Sequence, residues 1–318
     1  MTRSKWIKRV YITKLRMKQA EKWFITLAAF ALTLFLIAVI FRVIVLNSSS
    51  NPKIADISAL RIPYDTFREL DRLSVKYSLP LAELLTLCSQ DFMFFPDKSA
   101  IPFGSEIEQR YILDYSKAKK RISDKNTASY EAMFNNILSE MRVFPIPQDY
   151  EPDTYVFSDS WGASRLYGGE KFHEGTDILD RENIRGRLPI ISMTDGWIRE
   201  LGWNEMGGFY VGIITKNGTY YYYAHLDHFT SDLVKDMPVK AGQPLGYMGD
   251  TGYGKEGSKG KFPVHLHVGI CPAVTFTNNE FWINPYPFLR SLEEKRISAR
   301  LGEQLDTIIP GKGNYEHY

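Results

Sequence analysis

Gly208-Phe209-Tyr210-Val211-Gly212-Ile213-Ile214-Thr215, Lys216-Asn217-Gly218 and Thr219-Tyr220-Tyr221-Tyr222-Tyr223-Ala224-His225-Leu226 form the stretch that decides the fold class. β-Branched and aromatic residues dominate both arms, which favours strand over helix. Asn217-Gly218 between them tolerates positive φ, so the arms read as one hairpin. Similar short runs broken by Gly, Asn and Asp lie on either side. An all-β, mostly antiparallel domain is therefore predicted over residues 148–290.

His225 closes the second arm, and two further histidine-bearing stretches flank the hairpin: His173-Glu174-Gly175-Thr176-Asp177 and His265-Leu266-His267. Gly175 and the β-branched Thr176 and Ile178 disfavour a helix, so the first stretch reads as a loop entering a strand. Side chains at i, i+2 and i+4 share a face of an extended chain, which sets His173 beside Asp177 and His265 beside His267. Imidazole and carboxylate are ordinary Zn²⁺ ligands, and a catalytic zinc takes about three protein ligands with the fourth position left to water. Each residue has a plainer reading. A lone strand His can be a satisfied core residue, Asp177 can cap a turn, and Tyr220 to Tyr223 can be cross-strand packing.

The motifs taken together carry a family resemblance. In chain order they are residues 157–165 (Phe-Ser-Asp-Ser-Trp-Gly-Ala-Ser-Arg), 173–178 (His-Glu-Gly-Thr-Asp-Ile), 195–198 (Asp-Gly-Trp-Ile), 207–211 (Gly-Gly-Phe-Tyr-Val), 223–226 (Tyr-Ala-His-Leu), 246–252 (Gly-Tyr-Met-Gly-Asp-Thr-Gly) and 265–267 (His-Leu-His). This series resembles the lysostaphin and LytM type of zinc metallopeptidase, the M23 family, which cuts peptides of bacterial cell walls. The resemblance implies zinc ligands at His173, Asp177 and His267, with His225 and His265 facing the metal-bound water. His265 is then expected as general base and His225 as hydrogen-bond donor. The segment Tyr253 to Val264 departs from the family as an extended link before His265, and reads as a flexible loop at the groove edge. His228 falls outside the pattern and is expected at the surface or behind the site, and His317 lies in the tail.

Residues 1–22 hold eight Lys or Arg against Glu21, a net +7, and the formal charge of the whole chain is +2, which leaves the remainder at −5. A mildly acidic body argues against nucleic-acid binding. From Trp23 to Phe41 there are 19 residues without a charge, long enough for a helix of about 28 Å at ~1.5 Å per residue. A transmembrane helix over 23–46 follows, uncleaved because Arg42-Val43-Ile44-Val45-Leu46 is a poor signal-peptidase site. The basic tail 1–22 stays cytoplasmic by the positive-inside rule, which sends the rest outward.

After a polar linker at 47–54, residues 55–147 read as a small helical module. Ile62, Phe67, Leu70 and Leu73 recur at helical spacing, Pro80 opens a second helix, and Ser129 to Met141 forms a third. This module either only positions the following domain or offers a surface for a protein partner, a spacer or a lid. Val143-Phe144-Pro145-Ile146-Pro147 marks its end. A surface helix from Glu293 and a loose tail make up 291–318. Cys88 and Cys271 read as independent thiols. Gly249 to Gly257 brushes two nucleotide-binding patterns, but neither lies between a strand and a helix, and a Glu stands where the phosphate loop needs Ser or Thr.

The expectation is an α+β chain: a transmembrane helix, a helical module and a lysostaphin/LytM-like β-domain. Its implied activity is zinc-dependent hydrolysis of peptide bonds in peptidoglycan, with a lipid bilayer holding residues 23–46. A membrane-anchored scaffold or regulator with little hydrolysis is the alternative.

Overall fold

The computed structural model describes residues 62–94, 105–121, 127–165, 171–273 and 281–293, all within the unit Lys53–Tyr318. The basic tail 1–22, the apolar run 23–46, the linker 47–54 and residues 294–318 lie outside them. Among the described residues no helix is long and apolar enough to cross a membrane.

Helices come first: α1 (Tyr64–Tyr77), α2 (Leu81–Phe94), a π-helical turn (Glu108–Leu113), α3 (Tyr115–Arg121) and α4 (Thr127–Glu140). Phe67, Leu70 and Leu73 bury the stripe expected of α1. Ser78 ends that helix in the left-handed region at φ 53°, with the Leu79 amide bonding back to the Ser74 carbonyl. Pro80 then stands immediately ahead of α2, where its missing N–H costs nothing.

The strands follow: β1 (Tyr155–Phe157), β2 (Ser164–Arg165), β3 (Lys171–Phe172), β4 (Thr176–Asp180), β5 (Pro189–Ile191) and β6 (Gly196–Asn204). Next come β7 (Gly208–Ile214), β8 (Tyr220–Phe229), β9 (Pro238–Val239), β10 (Pro244–Met248) and β11 (His265–Cys271), closed by α5 (Tyr286–Leu292). The main sheet runs β1-β4-β11-β8-β7-β6-β9, with β10 joining β5 to β8, and every pairing is antiparallel. The expected hairpin is β7 and β8. Its turn closes through the Thr215 amide to the Thr219 carbonyl, with Gly218 at φ 85°.

The helices share the sheet's core. Phe288 of α5 meets Phe67 of α1 edge-on at 5.4 Å and stacks on Phe134 of α4 at 6.5 Å. Phe144, in the proline-bearing connector, lies 5.3 Å from Tyr155 and 5.5 Å from Phe157 of β1. That connector is also stitched to the sheet, because the Ile191 amide donates to the Pro145 carbonyl. The described helices thus share one apolar cluster with the sheet. Cys88 is buried in α2 and Cys271 ends β11, and both are free thiols.

Because Phe288 of α5 packs against both α1 and α4, Phe288→Ala should destabilise the chain by about 3–5 kcal/mol. Helical circular dichroism and tryptophan fluorescence should fall together in one earlier transition. Separate transitions, or an unchanged midpoint, would show that the helices merely rest on the sheet.

Candidate metal centre

Three adjacent strands bring the candidate residues together. His267 on β11 is directly opposite Asp177 on β4 and Ala224 on β8. His173 lies in the loop ahead of β4. Its Nε2 approaches the Asp177 Oδ1 at 3.0 Å and the His267 Nδ1 at 2.9 Å, and the His267 Nδ1 stands 3.0 Å from the same Oδ1. Ligands about 2.0–2.1 Å from a tetrahedral ion are separated by about 3.3 Å. The observed triangle needs only a few tenths of an ångström of opening to hold one metal ion, and these residues form a group of the right ligand types.

The shape of the centre depends on Gly175. A Cβ there would fall 2.4 Å from the His267 Cε1 and 2.6 Å from its Nε2, so only glycine leaves room for that ring. The first motif contributes through its backbone: the Ser160 carbonyl accepts from the His173 Nδ1 at 2.9 Å. Since a carbonyl can only accept, that nitrogen carries the proton and the His173 Nε2 turns its lone pair to the centre.

His225 and His265 follow the same rule. The His225 Nδ1 donates to the Thr251 carbonyl and the His265 Nδ1 to the Pro263 carbonyl, each at 2.7 Å. Both rings therefore present an Nε2 lone pair, and their centroids are 4.6 Å apart. The His265 Nε2 stands 3.8 Å from the Asp177 Oδ1. The hydrogen bonds give the two histidines one tautomer, so the division into base and donor expected from the sequence is not drawn by the neutral geometry.

His225 reaches the groove by a distortion that alternation alone does not foresee. Tyr221 and Tyr223 of β8 are buried on the core side, and strict alternation would send His225 after them. Between the pairs Val211↔Tyr223 and Phe209↔Leu226, however, β8 advances one residue more than β7. His225 takes φ 62° there, and Ala224 and His225 both line the groove. Such a bulge re-aims a side chain, and a non-glycine residue persists at this φ only where surrounding contacts hold it. The Gly207 carbonyl supplies one by accepting from the His225 amide at 2.7 Å.

Burial, followed by the nearby imidazoles, holds His225 well below the usual imidazole range. Burial likewise lowers His267. Burial pushes the Asp177 carboxyl upward, but its close contacts with the His173 and His267 ring nitrogens and the adjacent imidazoles outweigh it, leaving the group well below the carboxylate norm. These shifts favour the carboxylate at Asp177 and the uncharged ring at His225 and His267, and carboxylate and neutral imidazole are the forms in which such groups ligate.

The centre opens into a groove of about 740 Å³ floored by Tyr222 and Trp282 and flanked by Tyr210 and Tyr220. The long link before His265 is tied down rather than standing free. The Gly252 amide donates to the Ser258 carbonyl and the Gly254 amide to the Glu205 carbonyl. The link places Phe262 4.6 Å from the His225 ring and 5.0 Å from the His265 ring. His228 points elsewhere, paired with Asp227 and stacked on Tyr247. His317 lies outside the described residues. The supporting carbonyls of Ser160, Thr251 and Pro263 carry no side-chain signature, so only the motifs that contain Ser160 and Thr251 hinted at them.

Fold and cluster define a β-sheet domain with a His, Asp, His centre suited to one metal ion at the head of an open groove. The model of Peptidase family M23 matches residues 171–279. L-Ala--D-Glu endopeptidase of Bacillus subtilis is 39% identical over 150 residues, 47% of this chain and 43% of its own length. Glycyl-glycine endopeptidase ALE-1 of Staphylococcus capitis is 37% identical over 121 residues, 37% of this chain and 29% of its own. Among solved structures, a candidate glycyl-glycine endopeptidase, LytM, of Ruminococcus gnavus superposes with a TM-score of 0.59 at 36% identity, covering 76% of this chain and 92% of that one. The chain belongs to peptidase family M23. It spans less than half the length of the curated relatives it matches.

Gly175→Ala should lose most of its metal, because the added methyl meets the His267 ring and the Val268 carbonyl oxygen and pushes β11 away from the centre. Elemental analysis of the purified variant should find well under one ion per chain, whereas retention of a full equivalent would mean that His267 is not needed for binding.

Proposed function

We propose that this chain is a zinc-dependent endopeptidase that hydrolyses peptide bonds of bacterial peptidoglycan, held at the membrane by residues 23–46 with its N-terminus in the cytoplasm. The observation that carries the reading is the convergence of His173, Asp177 and His267 within 3.0 Å of one another at the head of a groove, with two more imidazole Nε2 atoms on the open side. The names of the relatives, endopeptidases for L-Ala--D-Glu and glycyl-glycine bonds, support the substrate class. The uncharged run from Trp23 to Phe41 and its basic flank support the anchor.

When bound, Zn²⁺ lowers the pKa of water toward ~7 and polarises a carbonyl. His173, Asp177 and His267 would hold it through Nε2, Oδ1 and Nδ1. The His265 Nε2, nearest the Asp177 carboxylate, takes the proton of the attacking water; held neutral by burial, the His225 Nε2 is a second acceptor over the same opening. A proton so gained is passed to the leaving amine, which completes the cleavage with proton balance. Thr251 and Pro263 fix both rings through Nδ1, so neither needs to turn over during the reaction. The complete set of five groups weighs against a purely scaffolding role.

Purified peptidoglycan digested with the zinc-loaded chain should release fragments whose masses mark new peptide ends, and an undigested wall would overturn the reading. His225→Ala should keep its zinc but lose about 10²- to 10⁴-fold in turnover. A zinc-free His225→Ala protein would instead make His225 part of the metal site.

A further inference from the structure

Arg199 is the only Lys or Arg among the described residues lining the groove, and its side chain makes no hydrogen bond or ion pair with any described residue. Its position comes from a second bulge. Between the pairs Ile198↔Ile213 and Glu200↔Gly212, β6 advances one residue more than β7, so Arg199 is the extra residue. Ile198 on one side stays in the core, while Arg199 and Glu200, although adjacent, both reach the groove. Glu200 is engaged there, accepting from the Tyr220 hydroxyl at 2.8 Å. The Tyr220 ring lies over Gly212, where a Cβ would fall 2.0 Å from its hydroxyl. The sheet thus braces Glu200 and leaves the neighbouring guanidinium open to the groove. A planar fork of donors of this kind suits one ligand above others, a carboxylate bound by two parallel hydrogen bonds.

Strand register gives its distance from the chemistry. Glu200 aligns with Gly212, Tyr222 and Gly269 across the sheet, which places the Arg199 end three strands from His267 and two residues along. With strands about 4.8 Å apart this is about 16 Å between backbones. Part of that is spanned by the arginine side chain, and an extended peptide covers the rest at about 3.3–3.6 Å per residue.

We propose that Arg199 is a specificity residue that grips a free carboxylate of the substrate about two to four residues from the bond being cut, so that the groove selects acidic stem-type peptides over amidated or purely glycine chains. This rests on the peptidase reading. A glutamate in a peptide always keeps one carboxyl outside the amide that joins it to its neighbour on a given side, whereas a glycine bridge offers none along its length.

The test uses the zinc-loaded full chain and two synthetic peptides with the same scissile bond, one bearing a carboxylate at the stated separation and the other the matching carboxamide. The acid should be favoured about tenfold or more, chiefly through KM, and Arg199→Gln should bring the ratio near one while Arg199→Lys keeps part of it. Binding of uncleavable analogues, with the scissile amide reduced to a methylene amine, should show the same ratios in Kd. Equal handling of acid and amide by the wild type, or a preference that survives Arg199→Gln, overturns the proposal while leaving the peptidase intact. If neither peptide is cut, the peptidase reading is at fault, and the Kd ratios of the analogues still decide the role of Arg199.

Discussion

Electron-pair donors brought within hydrogen-bonding distance of one another are the constraint around which this domain is built. Ser160 fixes the proton of His173 on the far side of its ring, so the nitrogen facing Asp177 has only a lone pair to offer, and Asp177 is held as a carboxylate. Such a triangle, buried on the floor of a groove, is stable when a cation stands at its centre. Much of the local sequence follows from that need. Gly175 clears space for one ring, three carbonyls from two loops orient three rings, and the direct cross-strand pairing of Asp177 with His267 sets the register of β4 against β11.

A regular antiparallel sheet supplies only alternate residues to a face, and this one departs from regularity where chemistry needs more. The bulge in β8 turns His225 toward the candidate metal centre, and the bulge in β6 turns Arg199 and Glu200 into the far part of the groove. Between them lie Tyr222, 6.0 Å from the His267 ring, and Tyr220, 6.4 Å further on. The irregular positions carry the polar groups, and the regular ones carry the aromatic floor. The described helices join the same apolar cluster as the strands, with Phe67 and Phe134 seated on Phe288.

Much of this was legible in the residues. The Asn217-Gly218 turn announced the hairpin, period-two spacing put His265 beside His267, and the apolar spacing of Phe67, Leu70 and Leu73 announced α1. The His, Asp, His group followed from the motifs in order. Less accessible was the path of His225, because alternation points it to the core and only the bulge at φ 62° reverses that. The link before His265 read as a mobile edge from its glycines, but backbone hydrogen bonds and Phe262 fold it over two histidines. Arg199 gave no signal, since an exposed arginine on a strand is ordinary until the opposite wall of the groove is known. The anchor at 23–46 rests on hydropathy and charge, and lies outside the described residues.

The central claim, that His173, Asp177 and His267 together bind one ion and leave its remaining position to solvent, is tested most directly by X-ray absorption at the zinc edge on the purified, zinc-reconstituted chain. The account predicts about four light-atom neighbours at ~2.0–2.2 Å with the outer-sphere scattering of two imidazoles. A sulfur neighbour near ~2.3 Å, a shell lacking imidazole scattering, or failure to retain zinc would contradict it.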